Sequence, residues 1–331
     1  MIKDKENILV IGPLFFNYAE EITEELNRNG FNAILKNERV GDSFKEKVIV
    51  RLRLQRFLKN KINRHVNNIK QCIIDNSIER VIVLNPETLD AKVLQEISDL
   101  VLGRITVYLW DSFRNKKNFK SIVKQLGNKV ITFDPSDAEQ YSIAYFPLFY
   151  TKQYRIVGTP KVYDLCSVCT MHSKRIIILS KILAVSNKTN LKCRFHLYYS
   201  SYAQLIMKTV RHPISVFMLR KYLTNKKIDH SEINAIFNSS KVVIDITHPK
   251  QTGLTSRTFE ALGAGANLIT TNNWISKHPD LTVNTEVFSV SDIINIPDYI
   301  SALQEDNKSQ DAVIKYRIDN WVLGLLELGN D

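Results

Sequence analysis

Ile244 to Asn272 reads IDITHPKQTGLTSRTFEALGAGANLITTN, and this stretch decides the fold. Its apolar lead-in, Val242 to Ile246, has the length and β-branched content of a short strand. A polar loop follows with His248, Pro249, Lys250, Gln251 and Gly253. Next comes a helical segment carrying Arg257 and Glu260, a Gly263-Ala264-Gly265 turn, and a second strand over Asn267 to Thr270. Strand, loop, helix and strand in that order make a βαβ unit, which places ligands at the carboxyl end of a parallel sheet. The helix start presents backbone N–H groups and the positive end of a dipole. Thr255 and Ser256 are expected to cap it or to donate to phosphate. Arg257 offers a fork of donors suited to phosphate, and Glu260 falls on the same side of the helix. A cation and a helix end for a diphosphate, with a carboxylate for a ribose, describe a nucleotide pocket. The plainer alternative is a salt bridge from Arg257 to Glu260 or Asp245.

The pattern continues outward from this unit. In the first half, strands are expected over residues 7–11, 79–84, 104–109 and 129–133, with helical segments between them. In the second half they are expected over 165–169, 193–199, 242–246, 267–270 and 287–290. Such alternation means parallel sheets covered by helices on both faces. A chain of 331 residues suggests two domains, and Pro147 and Thr159-Pro160 bracket a stretch expected to link them. The domain boundaries are placed at 1–155 and 156–310, with 311–331 as a terminal helix returning towards the first domain.

Composition narrows the function. The formal charge is +11, with 45 Lys and Arg against 34 Asp and Glu. Nucleic acid, an anionic lipid surface or an anionic substrate each suits that excess. No nucleic-acid-binding motif is present, so no nucleic-acid partner is expected. Between Lys45 and Lys70 there are nine Lys or Arg and one acid, with apolar residues at helical spacing. A core-packed helix with a solvated exterior fits this run. So does a helix that touches an anionic membrane surface. No apolar run approaches the roughly 20 residues that cross a bilayer, so a cytoplasmic location is expected, peripheral to the membrane at most. Gly12-Pro13-Leu14-Phe15 lacks the G-x-G-x-x-G of dinucleotide binding. Cys166 and Cys169 lie three apart on an expected strand and point to opposite faces, which argues against a shared metal.

The quoted stretch also resembles the carboxy-terminal signature of bacterial GT-B glycosyltransferases that build lipopolysaccharide and capsule, with the pattern HPxQxGLTxRxxE followed by LITTN. ILVIGPLFFNYAEEITEEL, VYLWDSF, ITFDPSDAEQYSIAYFPLFY, YDLCSVCTMHSKR and YRIDNWVLGLL resemble further elements of that family in the same order. The resemblance implies two Rossmann-like domains that face a cleft. It implies transfer of a sugar from a nucleotide-sugar donor to a glycan or glycolipid acceptor. It places Glu260 on the donor ribose and Arg257 on the diphosphate, with Lys250, His248, Thr255, Ser256, Ser173 and Arg175 nearby. On the acceptor side, Asp111 is the candidate base, expected to have a raised pKa beside Trp110. Phe15, Phe16, Asn17, Tyr18 and Trp110 are candidate sugar contacts. An Asp111 that merely caps a helix, and aromatics that merely pack the domain, are the alternatives. No D-x-D motif is present, and no metal or cofactor is expected. A catalytically inactive scaffold subunit and a nucleotide-sugar epimerase are the competing functions. Glu260→Ala is expected to weaken donor binding and spare the fold.

Overall fold

A computed structural model describes residues 5–14, 17–40, 59–116, 118–172, 174–249, 251–282, 285–288, 292–303 and 311–329. The chain divides into two units. Unit 1 comprises Met1–Leu148, Lys250–Gly253 and Ile318–Asp331, and unit 2 comprises Phe149–Pro249 and Leu254–Arg317.

Unit 1 is built on a parallel sheet of β1 (Asn7–Gly12), β2 (Asn32–Asn37), β3 (Arg80–Leu84), β4 (Ile105–Leu109), β5 (Val130–Thr132) and β6 (Ala144–Tyr145). The spatial order is β2-β1-β3-β4-β5-β6. β3, β4 and β5 are buried at every residue, as strands covered on both faces must be. Leu9, Val81, Val83, Val107 and Leu109 meet Ile69 and Ile73 of the helix Lys59–Asp75 and Leu94 and Ile97 of the helix Ala91–Leu100. Asp90 starts the latter helix by accepting from the Val93 amide at 2.9 Å. The terminal helix Ile318–Leu328 belongs to this unit. Its Trp321 is fully buried against Tyr108 and Phe146 and donates through Nε1 to the Pro147 carbonyl at 2.7 Å.

Unit 2 repeats the scheme with β7 (Tyr163–Thr170), β8 (Cys193–Tyr198), β9 (Leu223–Thr224), β10 (Ser240–Asp245), β11 (Asn267–Thr270) and β12 (Thr285–Val287). These strands are also all parallel, in the order β12-β11-β10-β7-β8-β9. Leu165, Leu197, Val242, Ile244 and Ile269 form its centre with Leu179 and Ile182 of the helix Arg175–Lys188.

The differences from the sequence reading have local causes. β2 is an edge strand, NAILKN, with two exposed residues that dilute its apolar signal. β6 and β9 have two residues each, too few to show a period. The last expected strand, over 287–290, starts two residues earlier, at Thr285–Val287, and its residues 289 and 290 lie outside the described residues. The stretch read as a linker belongs to unit 2 from Phe149 onward. There Tyr150 and Tyr154 are buried, and the Tyr150 amide donates to the Tyr316 carbonyl at 3.0 Å.

One segment of the quoted stretch, residues 251–253, is assigned to unit 1. The Asp134 carboxylate accepts from the Thr252 amide at 2.8 Å, from the Gly253 amide at 3.0 Å and from the Thr252 hydroxyl. It also caps the helix Pro135–Tyr141 through the amides of Ser136 and Asp137. A Cβ on Gly253 would lie 2.7 Å from both the Phe133 carbonyl oxygen and its ring. The carbonyl is backbone and cannot swing aside. Gly253→Ala is therefore expected to cost about 1–3 kcal/mol by overpacking. A lowered melting temperature in differential scanning calorimetry checks this, and an unchanged one would exclude the close approach.

Candidate functional site

The topology of unit 2 fixes where a ligand goes. From β7 the chain moves one way through β8 and β9, while β10, β11 and β12 lie on the other side. Loops leaving the carboxyl ends of β7 and β10 therefore diverge, and such switch points form the ligand crevice of open α/β sheets.

The loops at this point carry positive charge. Arg175 opens the helix after β7 and donates through Nε to the Ile246 carbonyl beyond β10, at 2.9 Å. One of its terminal nitrogens lies 3.3 Å from Thr170 Oγ1 and 3.1 Å from His172 Nε2. Arginine has only hydrogens to give, so His172 Nε2 is the acceptor and the ring proton sits on Nδ1. The His172 ring centroid is 5.9 Å from that of His248. Burial, followed by the charges of Arg175, His248 and Lys208, pushes the His172 pKa down to about 4. His172 is thus a neutral donor at pH 7, held in a cationic neighbourhood.

Arg257 and Glu260 come together on the helix Ser256–Gly263, as their spacing predicts. Arg257 pairs with Glu260 Oε2 at 2.6 Å. Glu260 is only 1% exposed, and its Oε1 lies 3.9 Å from His230 Nδ1. His230 in turn meets the Tyr154 hydroxyl at 2.8 Å. The Arg257 guanidinium lies 5.4 Å from the Phe237 ring centroid. The salt bridge named as the plainer alternative is therefore present.

The capping expectation for Thr255 needs correction. Thr255 occupies the N-cap position but makes no side-chain cap bond. Its hydroxyl donates to Asp245 Oδ2 at 2.8 Å, as does that of Thr258 at 3.0 Å. Asp245 is buried at the end of β10, and its charged oxygen outcompetes the helix amides for both hydroxyls. Ser256 is the first helical residue and is half-buried. Lys250, Ser173, Phe15 and Phe16 lie outside the described residues.

At the carboxyl edge of unit 1, Asp111 Oδ2 accepts from Asn85 Nδ2 at 3.2 Å, and Asn85 Oδ1 accepts from the Trp110 amide at 3.2 Å. Lys116 Nζ lies 3.7 Å from Asp111 and also pairs with Glu87, which binds Arg39 at 3.2 Å. Burial raises the Asp111 pKa above the ordinary aspartate value. Lys116 and the Asn85 amide oppose that rise, and the Glu87 charge adds to it. Asn17 sits in the left-handed region at the start of the helix Tyr18–Arg28. Tyr18 meets Trp110 edge-on at 6.4 Å.

Sequence reasoning missed His172, His230, Tyr154, Asn85 and Lys116. Only Asn85 had a local signal, an Asn-Pro pair after an apolar strand. The four cysteines are free. Burial pushes the Cys166 thiol up to about 12, so it is unreactive at neutral pH. Among the described residues no cluster of His, Cys, Asp and Glu has the makings of a metal site. No described helix is long and apolar enough to cross a membrane.

Comparison with known proteins bears on this geometry. A glycosyltransferase from Rickettsia africae superposes with a TM-score of 0.63 at 14% identity, covering 99% of this chain and 98% of that one. Sucrose-phosphate synthase from Thermosynechococcus elongatus superposes with 0.61 at 10% identity, covering 98% and 94%. The fold is GT-B. UDP-GlcNAc 2-epimerase from Methanocaldococcus jannaschii, solved with UDP-GlcNAc and UDP, is similar at 0.58 and 9% identity, covering 97% and 99%. Residues 180–318 match the model of a family described as glycosyl transferase-like. That span holds His248, Arg257 and Glu260 and continues to the start of the terminal helix. No curated protein matches the chain by sequence.

Proposed function

We propose that this GT-B protein is a glycosyltransferase that moves a sugar from a nucleotide-sugar donor to a surface-glycan acceptor of the lipopolysaccharide or capsule type. The observation that carries the reading is the switch point of unit 2, where the Arg175 cation gathers neutral His172 with His248 beside it. Arg257 and Glu260 follow in the span that resembles glycosyl transferases.

Unit 2 supplies the donor chemistry. Arg175 and Arg257 bind the diphosphate and stabilise the charge that grows as the glycosidic bond breaks. His172 donates through Nδ1–H, and the amides at the start of Ser256–Gly263 add their dipole. Glu260 holds Arg257 in place and accepts from the ribose. These fixed cations take the role a metal ion plays elsewhere, so transfer proceeds without one. Unit 1 supplies the acceptor side, where Asp111 takes the proton of the attacking hydroxyl and Tyr18 and Trp110 offer aromatic surface.

A panel of nucleotide sugars tests the reading. One of them is expected to raise the melting temperature and to move the His172 titration upward from about 4, because a bound phosphate favours the imidazolium. NMR of the imidazole protons reads this. Product forms only when acceptor is added, and chelator leaves the rate unchanged. A nucleotide sugar isomerised without acceptor would instead support the epimerase reading, which the similarity to UDP-GlcNAc 2-epimerase keeps in view. Tight binding with no turnover on any acceptor would support a scaffold.

A further inference from the structure

Unit 2 carries a second feature that donor chemistry does not use. The helices Tyr202–Arg211 and Pro213–Leu219 adjoin at His212. Leu205, Val216 and Leu219 turn inward onto the core of the unit. Ser215 of the second helix meets Ser180 of the helix Arg175–Lys188 at 3.0 Å. The outward side is apolar. Tyr202, Ile206, Met207, Val210, Ile214 and Phe217 are all exposed, with Val210 at 77% and Ile214 at 76%. Among the described residues, six of the fifteen exposed large hydrophobic side chains fall on these two helices. Scattered apolar residues need no explanation, but clustering of this kind marks a contact surface.

The surrounding charge says what the contact is. From residue 193 to residue 228 the sequence has no Asp or Glu and seven Lys or Arg. Arg211, Arg220 and Lys221 lie at the end of or directly after the two helices, whereas Lys208 is close enough to His172 to lower its pKa. The Arg220 guanidinium covers the Phe217 ring at 4.2 Å, so cation and apolar groups occupy the same face. We propose that this face docks on an anionic lipid surface, with the outward aliphatic side chains entering the headgroup boundary and the Lys and Arg fringe pairing with phosphates. A second copy of the chain fits poorly, because a two-fold contact would set one cationic fringe against another. The proposal is independent of glycosyl transfer. It is also separate from the Lys45–Lys70 run, of which residues 45–58 lie outside the described residues.

Co-sedimentation of the full chain with sucrose-loaded vesicles tests it. Vesicles of phosphatidylcholine with about one-third phosphatidylglycerol are compared with pure phosphatidylcholine. The chain is expected to partition onto the anionic vesicles at least about tenfold more strongly, with a steep loss on adding salt. The double variant Val210→Glu/Ile214→Glu changes only exposed positions, so folding is preserved, and its partition falls by about tenfold or more. Arg211→Gln/Lys221→Gln keeps weak binding but loses most of the salt dependence. Equal partition onto both vesicle types would overturn the proposal, as would wild-type partition of the Val210→Glu/Ile214→Glu variant. So would a dimer in analytical ultracentrifugation that this variant dissolves, with no lipid binding by the parent. Loss of all vesicle binding in Lys59→Gln/Lys61→Gln/Arg64→Gln alone would move the contact to the other basic run and likewise overturn it.

Discussion

Glu260→Ala is expected to unfold at a markedly lower temperature than the parent as well as to lose nucleotide affinity. Sequence alone suggests a variant that loses donor binding with its fold intact. The structure buries it to 1% exposure against Arg257 and His230. Removing one member of a buried ion pair leaves the other without compensation, at a cost of about 3–5 kcal/mol. Arg257 keeps 21% of its side-chain surface in water, which places the loss near the lower end, about 3 kcal/mol. Glu260→Gln keeps the shape and one acceptor and is expected to lose about 1–2 kcal/mol. The double variant Arg257→Leu/Glu260→Leu separates stability from function. With both charges gone most of the stability returns, but the phosphate and ribose contacts do not. Calorimetry and nucleotide titration on the three variants check this. A Glu260→Ala protein as stable as the parent would show the pair to be energetically idle. A double variant that binds nucleotide normally would remove both residues from the donor site.

How much of this was legible follows the range of the interactions. The strands β1, β3, β4 and β10 announce themselves as apolar runs because a two-sided sheet buries nearly every residue. The Arg257–Glu260 pair was legible because three residues on a helix is a fixed geometry. Thr255 was misread because its competitor, Asp245, lies ten residues away across a loop whose path the sequence does not give. His230 and Tyr154 reach the same cluster from 30 and 106 residues before Glu260, with no local pattern linking them to it. His172 looked like any loop histidine. Its character comes from Arg175, which holds it at one end while anchoring at the other to a carbonyl beyond β10. Side chains within one turn or one strand were readable; those brought together by strand order were not.

Asp111→Asn is expected to reduce turnover by about two to four orders of magnitude while leaving nucleotide affinity unchanged, because general-base removal acts on the transition state alone. The substitution is isosteric, and the new amide can offer its oxygen to Asn85 Nδ2, so Asn85 keeps its Oδ1 on the Trp110 amide and the fold survives. The pH profile carries the sharper test. Burial raises the Asp111 pKa, so the ionised base is lost as pH falls through a value above the ordinary aspartate range. The acid limb of kcat therefore lies higher than a solvent-exposed aspartate would place it. Lys116 opposes the rise, and it also partners Glu87, whose charge adds to the rise. Lys116→Met removes the opposing cation, so the Asp111 pKa moves further up. The acid limb then moves to higher pH, and activity near neutrality falls without any change in donor binding. A merely structural Asp111 would lower activity evenly across pH in Asp111→Asn, and Lys116→Met would leave the limb where it was. A shift of the limb upward in Lys116→Met identifies the titrating group as one that faces this lysine, and Asp111 is the carboxylate with a raised pKa that does.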